Sequence, residues 1–165
     1  MTTTIPHWID GKPFVGDHYT TSPIHNPATG EVIAELAHAT PEEVERIIAS
    51  SAAAFETWSQ VSLGKRSAIL FRFRELLVEH TDELAAIVTR EQGKVISDAK
   101  GEIARGLEVV EFACGIPQLL KGEFSEQAAT GIDVFSFRQP VGVVAGITPF
   151  NFPVMIPLWM SPIAI

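Results

Sequence analysis

Cysteine is almost missing from this chain: its 165 residues hold one, Cys114. That excludes an intramolecular disulfide framework and fits a reducing compartment. Basic residues are also scarce, 12 Lys and Arg against 20 Asp and Glu, giving a formal net charge of −8. With no basic cluster, this balance argues against nucleic acid and against anionic membrane surfaces as partners. An anionic ligand would have to be held by local backbone dipoles. The amino terminus, MTTTIPHWIDGK, lacks the basic and apolar regions of a signal peptide and the Arg-rich pattern of a transit peptide. The cytoplasm is therefore the expected compartment. Neither G-x-G-x-x-G nor a P-loop is present, since Gly142 and Gly146 stand inside an apolar run at the wrong spacing. His7, His18, His25, His38 and His80 show no ligand spacing, so no metal site is expected.

Charge is lacking in another sense. Arg138 is the last ionisable side chain, and Gln139 to Ile165 is uncharged. Val141 to Ile165 is long enough to span a bilayer. It also holds Pro149, Pro153, Pro157 and Pro162, each of which removes a backbone donor and interrupts a continuous helix, at high cost in lipid. A buried strand followed by a buried helix is the expected structure.

What is present reads as α/β. Asp10-Gly11, flanked by apolar residues, predicts a hairpin over Trp8 to Phe14 with a type I′ turn. NPATGEVIAEL (Asn26 to Leu36) predicts a turn and then a strand through Val32 and Ile33. Thr40-Pro41-Glu42-Glu43 is a capping box with proline at the first helical position, and Val44, Ile47, Ile48 and Phe55 follow on one face. A second helix is expected from Leu63 to His80. A third, capped by Thr81, should run to a stop at Gly93, and a fourth from Ser97 to Leu120 should end or kink at Pro117. Ile132 to Arg138 (IDVFSFR) is expected to be a strand. Val141 to Ile147 (VGVVAGI) has the continuous apolar character of a parallel strand covered on both faces. Such a strand needs a crossover and a parallel neighbour, and only the start of a helix, Pro153 to Ile165, follows. The chain is thus expected to be the amino-terminal piece of a longer protein.

Few residues offer chemistry. Cys114, in EFACGIP, has no neighbouring Lys, Arg or His to lower its pKa and reads as a small buried residue. Glu42-Glu43 and Asp82-Glu83 sit in first helical turns, where they favour the helix dipole. Asn151 remains. Thr148 and Phe152 each precede a proline and are pushed to extended conformations, so Asn151 lies on a constrained loop between a strand end and a helix start. Ligand sites of open α/β sheets fall at such ends. Its amide either caps the helix or serves as an oxyanion donor, a role worth ~10²–10³ in rate where such donors have been removed. Sequence physics leaves both open.

ITPFNFP resembles the strand–loop signature of the aldehyde dehydrogenase superfamily, and NPATGEVIAEL, EQGK (Glu91 to Lys94) and QPVGVVAGITPFNFP match it in order. Phe150, where most relatives have Trp, and the following PVMIPLWM resemble the methylmalonate-semialdehyde dehydrogenase branch, which is NAD-dependent and CoA-acylating. The resemblance implies the amino-terminal part of that fold: helices, the first strand of a Rossmann-like parallel sheet, and a β arm for oligomerisation. It divides the chain into residues 1–122, part of the NAD-binding domain; 123–140, the arm; and 141–165, the start of the Rossmann-like core, with the catalytic domain absent. It implies that Asn151 is the catalytic oxyanion donor, that Thr148 and Phe150 contact NAD, and that Trp159 only packs. A small aldehyde would be oxidised through a cysteine thioester, with CoA taking the acyl group and CO2 lost, in a homodimer or homotetramer. No segment matches the nucleophilic cysteine motif, so this chain alone is expected to be inert. A hydrolytic aldehyde dehydrogenase and a stand-alone oligomerisation module of the same fold are the alternatives.

Overall fold

The computed structural model describes residues 3–17 and 19–165; His18, one of the five histidines above, lies outside the described residues. Strand β1 (Thr3–Ile5) runs parallel to β5 (Val32–Ala37), and β4 (Thr21–His25) pairs antiparallel on the other side of β5, giving the order β1-β5-β4. The β4–β5 turn is the NPATG stretch. Asn26 accepts the Ala28 N–H through its side chain at 2.9 Å and the Gly30 N–H through its carbonyl at 2.8 Å, and Gly30 takes φ 77°. A separate hairpin pairs β2 (His7–Ile9) with β3 (Lys12–Phe14), and Asp10 and Gly11 both take positive φ as a type I′ turn requires.

Four helices follow and three of them build the core. Helix α1 (Pro41–Trp58) opens on the expected capping box, Thr40 Oγ1 accepting from Glu43 N at 3.2 Å and Glu43 Oε2 from Thr40 N at 2.8 Å. Its apolar face is only partly covered, however: Ile47 and Phe55 are half-buried, Val44 and Ile48 are exposed, and no α1 residue is fully buried. Helices α2 (Leu63–Glu79), α3 (Thr81–Gln92) and α4 (Ile96–Cys114) pack together. Leu70 meets Ala113 and Cys114, Leu77 meets Val110, and Ala85 and Val88 meet Ala99 and Ile103. Two helix boundaries depart from expectation. Thr81 does not cap α3; it is the first helical residue and its hydroxyl donates to Leu77 O at 2.8 Å, back into the preceding helix. The fourth helix ends at Cys114, ahead of Pro117, because Gly115 interrupts it; Pro117 then lies in the first turn of the short α5 (Ile116–Leu119).

Residues Ile132–Phe135 form β7, as expected but shorter, and pair with a strand the sequence did not announce, β6 (Phe124–Ala129). Every residue of this hairpin is exposed. The larger correction concerns 141–147. This stretch forms no strand and is not buried: Ile147 is 92% exposed. Two causes act together. No hydrogen-bonded neighbour lies beside it among the described residues, and Gly142 takes φ 106°, outside the β region. The last helix, α6 (Met155–Ala164), starts two residues after Pro153 and lies across α4. Gly106 of α4 permits that approach, since a Cβ there would stand 2.6 Å from Leu158 Cδ1. Among the described residues no helix is long and apolar enough to cross a membrane.

Candidate functional site

Helix α6 has an unusual start. Its sequence, MIPLWMSPIA, contains no charged residue, and its N-cap, Val154, has no side chain that can accept a hydrogen bond. The first N–H groups of a helix nevertheless need acceptors, and the dipole favours a negative charge there. Glu102, a fully buried residue of α4, supplies both: its Oε1 accepts from Val154 N at 2.8 Å and from Met155 N at 3.1 Å. Its other oxygen, Oε2, accepts from Lys94 Nζ at 2.5 Å. Lys94 in turn donates to the carbonyl of Asn151 at 2.9 Å and places its ammonium 4.3 Å from the centre of the Phe152 ring.

The charges in this cluster are compensated. Burial is the largest influence on the Glu102 carboxyl and pushes its pKa up. The hydrogen bond and charge of Lys94 and the N–H groups of Val154 and Met155 outweigh it, and the net shift is below the ordinary value. Glu102 is therefore ionised at neutral pH, as a helix cap and a lysine partner both require.

The loop thus held carries all three residues singled out from the sequence. Thr148 is half-buried, while Phe150 and Asn151 are exposed, Phe150 by 89%. The side-chain amide of Asn151 does not cap α6, whose first N–H groups go to Glu102. Among the described residues that amide has no hydrogen-bond partner. Trp159 does more than pack, because its indole N–H donates to Arg105 O at 3.3 Å. Glu102 itself was missed, although one signal was available. It lies among Ala99, Ile103, Gly106 and Val110, all buried on one face of α4, and a carboxylate on an apolar helix face needs a partner.

Cys114 is placed elsewhere. It lies twelve residues along α4 from Glu102, about 18 Å at the helical rise, packed with Leu70 and Ala113. Burial raises its thiol pKa, the Glu111 carboxylate adds to that, and Arg74 opposes them in part. A buried thiol with a raised pKa is a poor nucleophile.

The helices and the small parallel-containing sheet thus define an α/β chain in which a loop leading into α6, tied to Glu102 and Lys94, presents the Asn151 amide without a hydrogen-bond partner among the described residues. The chain belongs to the aldehyde dehydrogenase family, which it matches over residues 14–165. It is 45% identical over 162 residues to the malonate-semialdehyde dehydrogenase of Lacticaseibacillus casei, a match covering 98% of this chain and 33% of that protein. The crystal structure of methylmalonate-semialdehyde dehydrogenase from Oceanimonas doudoroffii superposes with a TM-score of 0.93 at 49% identity, covering 99% of this chain and 33% of that one. A Sinorhizobium meliloti 1021 structure, complexed with NAD, superposes at 0.91 with 49% identity, covering 97% and 33% of the two chains. The chain spans about a third of the length of these relatives.

Proposed function

We propose that this chain is the amino-terminal part of an NAD-dependent, CoA-acylating dehydrogenase of malonate or methylmalonate semialdehyde, and that Asn151 is its oxyanion donor. The supporting observation is the likeness to the O. doudoroffii enzyme over 99% of the chain, at 49% identity, together with a loop that leaves the Asn151 amide free. In this reading the amide N–H of Asn151 donates to the aldehyde oxygen as it gains charge under attack by a cysteine from the rest of the protein. A donor held rigidly before the reaction needs no reorganisation when that charge develops. The Lys94–Glu102 pair beneath the loop supplies the rigidity.

NAD, when bound, accepts the hydride. The residues present fit its nicotinamide end. No ionisable side chain follows Arg138 in the sequence, Phe150 offers an exposed ring, and Thr148 lies on the same loop. The nicotinamide of oxidised NAD is a flat pyridinium cation, and an exposed aromatic ring on a loop with no ionisable side chain of its own suits it. The S. meliloti relative complexed with NAD supports the assignment. CoA is the acyl acceptor in this proposal, with acetyl-CoA or propionyl-CoA and CO2 as products. The protein acts in the cytoplasm, and the chain alone is inert.

The division into residues 1–122, 123–140 and 141–165 belongs to the same proposal. The exposed β6–β7 hairpin, with Phe124 and Phe135 in its strands and Phe137 just beyond them, each 65% exposed or more, favours a subunit-joining arm in a homodimer or homotetramer. The test is steady-state kinetics on the whole enzyme with malonate or methylmalonate semialdehyde. Steady NADH formation beyond the first equivalent per site should require CoA. Turnover to free acid without CoA would assign the protein to the hydrolytic relatives instead.

A further inference from the structure

One pair of side chains holds both ends of the Asn151 to Met155 segment. Glu102 takes the N–H groups of Val154 and Met155, and Lys94, joined to Glu102 at 2.5 Å, takes the carbonyl of Asn151. Both come from firm ground. Glu102 has no exposed surface and the Lys94 side chain is 13% exposed. Lys94 directly follows Gly93, which takes φ 81° at the end of α3 and lies so close to Pro27 of the NPATG turn that a Cβ would stand 2.9 Å from its ring. Capping α6 requires the contacts to Val154 and Met155 and nothing at Asn151. The hydrogen bond from Lys94 to the Asn151 carbonyl is therefore a separate feature. It fixes the peptide plane that follows Asn151, and so the backbone from which the Asn151 side chain projects.

We propose that Lys94 and Glu102 are positioning residues: Glu102 aims the Lys94 ammonium, and Lys94 holds the Asn151 backbone so that its amide points at the developing oxyanion. The proposal rests on the oxyanion role given to Asn151 above. Misplacement of a reacting group by about 1 Å can cost ~10²-fold in rate. Residues that act through one another also show non-additive losses.

The experiment is a mutant cycle on the whole enzyme, with kcat, KM for NAD and thermal unfolding measured for each variant. Lys94→Met should lower kcat by roughly 10–100-fold with KM for NAD little changed. In an Asn151→Ala background the same change should lower kcat by less than about twofold, because the group being positioned is gone. The double variant Lys94→Met, Glu102→Gln removes the charge pair while keeping an acceptor for Val154 and Met155. It should recover most of the unfolding temperature that Lys94→Met loses and none of the kcat. Equal losses from Lys94→Met in both backgrounds would overturn the proposal, showing that Lys94 acts through stability alone. Recovery of kcat together with the unfolding temperature in the double variant would overturn it as well. If Asn151→Ala turned over like the parent, the oxyanion role itself would fall, and the positioning role with it. If Asn151→Ala were slow and Lys94→Met were normal, only the positioning role would fall.

Discussion

The Glu102 carboxylate and the Val154 N–H lie 2.8 Å apart although 52 residues of chain separate them. This contact anchors the start of α6 to the middle of α4, and with it the end of the loop that carries Asn151. Removing the carboxylate should therefore act locally first. In Glu102→Ala the amides of Val154 and Met155 lose their acceptor and Lys94 loses its partner. Breaking a buried ion pair from one side costs about 3–5 kcal/mol. Hydrogen exchange on the whole protein should show lost protection in the peptide covering residues 150–158, with the peptides of α2 much less affected. Unchanged protection there would mean that α6 is capped in some other way.

The same carboxylate sets a pH dependence. Its folded pKa lies below the usual 4.5, so its contribution is complete above pH 4.5 and is lost as pH falls through the folded value. Protection of the Val154 and Met155 amides, corrected for intrinsic exchange, should hold steady from neutrality down to that pH and then decline. Glu102→Gln should remove the step. A decline that begins well above pH 4.5 would contradict the direction of the shift.

Gly106 tests the helix crossing. An added Cβ would lie 2.6 Å from Leu158 Cδ1 and 3.1 Å from Leu158 Cβ. Alanine gains up to about 1 kcal/mol of helix propensity, but overpacking costs about 1–3 kcal/mol. The Leu158 Cβ is fixed to the α6 backbone and cannot swing away, so the overpacking should win. Gly106→Ala should lower the unfolding temperature, and Gly106→Val should lower it further. A rise for alanine would show that α6 shifts freely over α4.

Cys114→Ala should leave activity intact and cost about 1 kcal/mol, the usual size of a modest core change. In the parent, Cys114 should react slowly with alkylating reagents at neutral pH, because it is buried and its thiol pKa is raised. Loss of the initial NADH burst in a folded Cys114→Ala enzyme would show that Cys114 is the nucleophile after all.

Features made by neighbouring residues were legible in the sequence. Asp10-Gly11, the Thr40–Glu43 capping box and the stop at Gly93 are each decided within four residues, and each forms as read. Thr81 looked like a cap because a hydroxyl before an apolar helix usually is one, but the carbonyl of Leu77 competed for it. The apolar run at 141–147 shows what a segment could pair with and does not supply the partner. Strand β6 was hidden because FSEQAA lacks apolar alternation, and its register slips between Ser125 and Ala129. At the candidate site the loop was visible through its prolines, and Asn151 through being its only amide. The Lys94–Glu102 support was not, because folding joins it across more than fifty residues and sequence shows only an unexplained carboxylate on an apolar face.

The central claim is the role of Asn151, and kcat of Asn151→Ala in the whole enzyme tests it most directly. Turnover should fall by ~10²–10³, about 2.7–4 kcal/mol of transition-state stabilisation, while NAD affinity and the unfolding temperature stay close to those of the parent. The Asn151 side chain makes no hydrogen bond among the described residues and does not cap α6, so a folded, NAD-binding, slow enzyme is the expected result. Turnover within a few-fold of the parent would contradict the account.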